Sequence, residues 1–188
     1  MSPRMGLDKV TIIEVAVELA NNEGMEAVTL ATLAKRLNIR TPSLYNHIEG
    51  LDDLRNKLAL IGMNRLFHGL KAAIGNKTGD EAVHAMSIGY VQFSRQNPGL
   101  YELTLAAPNP ENIEIQQAGK SIVELTIEVL QEYKLERENA IHAVRGLRSL
   151  LHGFASLEQK QAFGLPVNLD KSLHLLVNTF LAGLHSLK

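Results

Sequence analysis

The sequence predicts an all-α protein with a compact three-helix head and a larger helical body, and three observations lead there. Apolar residues recur at three- and four-residue steps along almost the whole chain. No run of alternating Val, Ile and Thr is long enough to build a sheet, and no internal repeat is visible. Caps and breakers divide the periodic stretches into about nine helices.

Asp8 can cap a first helix carrying Val10, Ile13, Val17 and Ala20, which Gly24 ends. Thr11 with Glu14 forms a rival capping box, so the start is open by one turn. A second helix follows from Thr29, with Leu30, Leu33, Ala34 and Leu37 inward. Asn38-Ile39-Arg40 makes a short break, and Thr41 caps a third helix with Pro42 in its first turn, running through Ile48. From Asp52 a longer helix carries Leu54, Leu58, Ile61, Leu66 and Leu70 towards Gly75–Gly79. A fifth spans about Asp80 to Arg95, and a short sixth runs from Leu100 to Ala106, closed by Ala107-Pro108-Asn109-Pro110. The seventh holds Ile115, Ile122, Leu125, Val129 and Tyr133, and the eighth Ile141, Val144, Leu147, Leu151 and Phe154. After Gly164-Leu165-Pro166 the last presents Leu169, Leu173, Leu176, Phe180 and Leu184. The expected division is a head of residues 1–51 and a body of residues 52–188.

Bulk composition excludes several classes. A hydrophobic content of 45% supports a sizeable core, and the absence of cysteine removes disulfides, thiol nucleophiles and cysteine-based zinc sites. No stretch approaches the roughly 18 apolar residues needed to span a bilayer. Met1–Gly6 lacks the apolar run of a secretion signal, so the expected location is the cytoplasm, without membrane association. A net charge of -1 argues against a globally basic nucleic-acid binder but says nothing of a local face.

The head is the informative part. Two helices joined by a few residues, the second short and polar on one side, make a helix-turn-helix. Ala31 and Ala34 are small enough for close crossing, and Asn38 stands where the turn needs a left-handed residue. Leu44 and Ile48, four apart, would pin the third helix to the core. Thr41, Pro42, Ser43, Tyr45, Asn46 and His47 are left on or near the outer face. Hydroxyls of Thr41, Ser43 and Tyr45 suit phosphates. Asn46 can read an adenine edge, and Arg40 can reach guanine or phosphate. The alternative for Tyr45 and His47 is that they cover the edge of a small core.

The run from Leu7 to Leu54, about a quarter of the chain, resembles the DNA-binding head of the tetracycline-repressor (TetR) family. The matching residues are Ala16 and Gly24, then Thr29-Leu30-Ala31-Thr32-Leu33-Ala34-Lys35-Arg36-Leu37-Asn38-Ile39, Ser43-Leu44-Tyr45-Asn46-His47-Ile48 and Leu54. The resemblance implies that Thr29 caps helix two, that Tyr45 and His47 contact the DNA backbone, and that Thr41, Pro42, Ser43 and Asn46 face bases. It departs from the family at Asn38, where Gly is frequent, and at Leu51, where a phosphate-contacting Lys is usual. With Glu49, Asp52 and Asp53 nearby, a shallower salt dependence of binding is expected.

The same resemblance gives the body two tasks, dimerisation and effector binding. Leu147–Phe154 is similar to a subgroup with a Trp-His-Gly signature, Leu151 standing in place of the Trp, and Asn97-Pro98-Gly99-Leu100-Tyr101 fits that subgroup too. The last two helices are expected to pair with their copies, Gly153 and Gly183 allowing close approach, although such stripes also serve a protein's own core. Met86, Tyr90, Phe93, Tyr101, Leu103, Leu151 and Phe154 are the expected lining of a pocket for a small, largely apolar or aromatic effector, and each is equally a core residue by type. The implied function is a dimeric regulator of double-stranded operator DNA, by family habit a repressor. The alternative is a helical protein-interaction module without sequence-specific DNA binding.

An enzyme is the remaining rival. Among seven histidines, His142 and His152 stand ten apart and His174 and His185 eleven apart, outside the i, i+4 spacing of a helical zinc chelate. No Gly-rich phosphate loop, nucleophile elbow or carboxylate pair completes a site. Neither catalysis, metal nor cofactor is expected.

Overall fold

The computed structural model describes residues 8–105 and 112–186, and every regular element among them is helical. The stretch Met1–Leu7 and the loop read at Ala106–Pro110 lie outside the described residues. Helix α1 (Lys9–Glu23) starts at Asp8, whose carboxylate accepts the Thr11 N–H at 2.7 Å, so the earlier of the two possible caps is the one used. It ends at Gly24, which takes a positive φ of 86°. Helix α2 (Leu30–Arg36) follows, and then a six-residue 3-10 helix (Thr41–Asn46).

That 3-10 helix departs from the expected third α-helix. Arg40, not Thr41, holds the N-cap position, and bonds such as Ser43 N–H to the Arg40 carbonyl (2.9 Å) and His47 N–H to the Leu44 carbonyl (2.9 Å) span three residues. A segment this short gains little from α-helical propagation, so the two side chains that anchor it set its winding.

The body begins with α3 (Leu51–Ile74), whose first turns carry Leu54 and Leu58 into the head's core before the helix continues into the body. Next come α4 (Gly79–Gln96), α5 (Pro98–Leu103), α6 (Ile113–Val129), α7 (Arg137–Gln159) and α8 (Leu169–Ser186). Helix α5 begins earlier than expected: Asn97-Pro98 starts a helix as well as ending one, because Pro at the first position loses no needed hydrogen bond. Tyr133 is not on α6, which stops at Val129; a 3-10 turn follows, and Lys134 is left-handed. One continuous core runs from Ile12 in the head to Leu184 in α8.

Three polar ties fasten the body's helices. Arg95 of α4 holds Glu158 of α7 through two bonds of 2.8 and 2.9 Å and also Asp170 of α8 at 2.9 Å, which keeps the guanidinium ionised well above its ordinary range. Asp80 accepts from Tyr133 and pairs with His185 at 3.0 Å, and these bonds hold its carboxyl below the usual value. Gln159 donates to the Ser94 carbonyl at 3.0 Å.

Head and body meet at α5. The Asn21 side chain accepts from the backbone N–H groups of Gly99 and Leu100 at 3.2 and 3.3 Å, so a residue of the head caps a helix of the body. The approach is close because position 99 has no side chain: a Cβ there would lie 2.1 Å from the Ala20 carbonyl oxygen. On the other flank a Cβ on Gly62 of α3 would lie 3.0 Å from the Leu100 carbonyl. Gly99→Ala must therefore displace backbone and should destabilise by about 1–3 kcal/mol. Thermal unfolding would show this as a fall of roughly 2–4 °C per kcal/mol for a chain of this size. An unchanged Tm would mean that α1 and α5 do not pack in this register.

Candidate nucleic-acid interface and body cavity

The helix-turn-helix is built by local backbone chemistry. The Thr29 hydroxyl accepts the Thr32 N–H at 3.1 Å and lies 2.8 Å from the Thr32 hydroxyl, so it is engaged in starting α2. At the other end Asn38 takes φ of 53°, the Ile39 N–H reaches the Ala34 carbonyl at 2.9 Å and the Asn38 N–H the Lys35 carbonyl at 3.2 Å. This pair of bonds is the Schellman closure, which needs a left-handed residue in the place Asn38 holds. It turns the chain sharply and delivers Arg40 to the start of the 3-10 helix.

In that helix Leu44 is fully buried and Ile48 nearly so, which presses the segment onto the head. Pro42, Tyr45 and Asn46 are exposed, Tyr45 to 58%, as is Arg40; Thr41, Ser43 and His47 are half-buried along its edges. The large exposed phenol decides against Tyr45 as a cover for the core's edge. Among the described residues, the side chains of Arg40, Thr41, Ser43, Tyr45 and Asn46 form no internal hydrogen bond, so their polar groups remain available. The nearby charges are partly answered by neighbouring side chains. Asp53 accepts the Glu49 N–H at 3.0 Å and pairs with Lys57, and Arg36 pairs with Glu23. Glu49 and Asp52 stay exposed.

The body holds a cavity of about 510 Å³ between α3, α4, α6 and α7, with Thr104 closing one side. Met86, Tyr90 and Leu151, expected from the sequence, are in its wall; Phe93, Tyr101, Leu103 and Phe154 are not. Phe93 is buried in the general core, Leu103 packs against it, and the Phe154 ring faces Phe163 at 5.2 Å. Helix α5 makes under two turns, and at about 100° per residue it is Thr104, beyond its end, that reaches the cavity in place of Leu103. Tyr101 stands one layer behind the wall. Its hydroxyl lies 3.3 Å from the Tyr90 hydroxyl and 2.8 Å from His152 Nδ1. Burial pushes both phenols up, so both stay protonated and able to donate.

Several wall residues escaped the sequence reading: Met63 and Leu66 of α3, Gln116, Lys120, Val123 and Thr126 of α6, and Arg148 of α7. Helix α6 gave little signal because four of its six wall residues, Gln116, Gly119, Lys120 and Thr126, are polar or small. Arg148 did leave one, since it interrupts the apolar stripe Val144, Leu147 and Leu151 on α7. The histidines weighed for catalysis have structural neighbours: His152 bonds Tyr101, His185 pairs with Asp80, His174 stacks on His84 at 4.3 Å, and His142 faces Glu138 at 3.9 Å.

Both halves of this arrangement match one protein family. Residues 12–54 match the bacterial regulatory proteins of the tetR family, and residues 83–180 match the tetracyclin repressor-like C-terminal domain. The chain belongs to the TetR family of helix-turn-helix transcriptional regulators. It is 43% identical over 185 residues to the HTH-type transcriptional regulator YobS of Bacillus subtilis, covering 98% of this chain and 96% of that one. Among solved structures, a protein from Rhodococcus sp. RHA1 superposes with a TM-score of 0.83 at 19% identity, over 97% of this chain and 98% of that one. Streptomyces coelicolor ActR in complex with (S)-DNPA gives a TM-score of 0.68 at 19% identity over 100% of both chains. These two likenesses establish the fold. No helix among the described residues is long and apolar enough to cross a membrane.

Thr29→Ala should cost about 1 kcal/mol by removing the α2 cap, and Thr29→Ser should restore most of it. Chemical denaturation of the three proteins checks this. Equal stability of Ala and wild type would show that the hydroxyl is not engaged in the cap.

Proposed function

We propose that this protein is a homodimeric repressor that leaves a palindromic operator when a small molecule fills the body cavity. The observation that carries the reading is the 3-10 helix anchored by Leu44 and Ile48, with Arg40, Pro42, Tyr45 and Asn46 turned outward beside half-buried Thr41, Ser43 and His47. Docked in a major groove, Thr41, Pro42, Ser43 and Asn46 face base edges, Tyr45 and His47 meet phosphates, and Arg40 reaches a guanine or a phosphate. Thr29 acts through the helix that it starts. On this reading the head comprises residues 1–51 and the body 52–188, α3 joining them.

The dimer forms through α7 and α8. Leu157 and Leu175 are 46% and 68% exposed on these helices, and a Cβ at Gly153 or Gly183 would have nothing within 4 Å. That face, apolar with small gaps, suits a helix-on-helix contact between copies. An effector in the cavity touches Tyr90 and Thr104, which lie against Tyr101 and the end of α5. Helix α5 in turn is capped by Asn21 of α1. A ligand that favours one seating of α5 therefore favours one spacing of the two heads, and the operator favours another. ActR, of the same fold, was solved with a bound small molecule, which supports a ligand site in such a body.

Selection from a random duplex pool should recover a palindrome with half-sites about one helical turn apart. No enrichment at low salt would leave the head as a protein-binding module. With the recovered site, Tyr45→Phe should weaken binding across all sequences, whereas Asn46→Ala should relax preference at particular base positions. Wild-type behaviour of both variants would overturn the docking. Light scattering should show Leu175→Glu shifting the dimer towards monomer with unchanged helicity; a dimer that persists places the interface elsewhere.

A further inference from the structure

The charge inside the cavity is one-sided. Its described wall carries two cationic side chains, Arg148 and Lys120, and no carboxylate, against a lining otherwise dominated by apolar groups. Arg148 donates from Nη2 to the Thr104 backbone carbonyl at 3.2 Å and also meets the Tyr90 hydroxyl, so its described partners are neutral for a group with five donors. Among the described residues no carboxylate lies within ion-pair distance of it. Its field reaches the neighbouring Tyr90 and Tyr101 phenols, opposing the effect of their burial. Lys120 has a partner in Glu124, but at 3.5 Å and with side chains 74% and 62% exposed that pair is weak and solvent-screened.

Arg148 borders this largely apolar chamber while staying solvent-exposed, and the chamber's described wall holds no carboxylate to compete with an incoming anion. Arginine's planar fork matches a carboxylate with two parallel bonds. The Tyr90 hydroxyl, kept protonated, adds a donor beside it, while Leu66, Leu70, Met86 and Leu147 supply surface for an apolar body. We propose that the effector is an amphipathic organic acid, whose carboxylate is held by Arg148 with Tyr90 and whose apolar part fills the cavity. This rests on the cavity being the effector site, and it narrows the largely apolar or aromatic effector expected from the sequence. An anionic group is favoured, because the chamber's described wall offers two cations and no carboxylate.

Isothermal titration of the full chain with decanoate, decan-1-ol and decylammonium, each below its micellar range, tests the charge requirement. Decanoate should bind most tightly and decylammonium least. Arg148→Met should weaken decanoate binding roughly tenfold or more, the effect of losing a charge-assisted pair, while leaving decan-1-ol nearly unaltered, and Arg148→Lys should recover part of the loss. Val123→Trp, which narrows the cavity, should weaken binding of all three. Equal affinity for decanoate and decan-1-ol, or no change in Arg148→Met, overturns the anion requirement while leaving the cavity as the site. Binding of all three that is unaltered in Val123→Trp overturns the cavity reading itself, and with it this inference. Absence of binding by all three probes overturns the amphipathic-acid class.

Discussion

The contact on which the molecule turns is the seam between the end of α1 and the start of α5. A six-residue helix is not stable alone, because its nucleation is costly and few of its hydrogen bonds are internal. Here Asn21 satisfies two of its free N–H groups from outside, Pro98 presets its first turn, and Leu100 and Tyr101 are buried. The Asn21 cap depends on Gly99 lying close against the Ala20 carbonyl. The head is therefore seated on the body through a helix whose C-terminal neighbour, Thr104, borders the cavity.

From that seam a chain of polar contacts leads inward. Tyr90 in the cavity wall bonds Tyr101 of α5, and Tyr101 bonds His152 of α7, next to Gly153 on the outer helical face. Each group is buried or half-buried and each has a partner, as low-dielectric surroundings require. The cavity wall, α5 and α7 are thus joined by one short set of residues.

Net charge conceals this organisation. A value of -1 looks inert, yet Asp53 is compensated by Lys57 on its own helix, Arg95 joins three helices, and Arg148 has neutral partners in the Thr104 carbonyl and Tyr90. What matters for recognition is which charges are answered internally and which are left facing outward or into a cavity.

The all-helical class, the order of the main helices among the described residues and the helix-turn-helix were legible in the sequence because they depend on local rules. Periodicity places apolar faces, caps begin helices, and Asn38 permits the left-handed closure that the turn needs. Family resemblance in the head was legible for the same reason, since that motif is nearly contiguous. Other features were decided only by tertiary structure. Asp8 and Thr11 were equally able to cap α1, and the third helix winds as 3-10 because Leu44 and Ile48 are held by a core supplied from elsewhere. Met86, Tyr90 and Leu151 could be placed near a pocket from their helical faces, but Tyr101 and Phe154 have the same residue character and stand outside the wall. Which apolar residue borders a cavity depends on how helices distant in sequence are rotated against one another, and that rotation is set by long-range contacts such as Gly99 on Ala20. Local pattern carries helices and their faces; only packing assigns each face its neighbour.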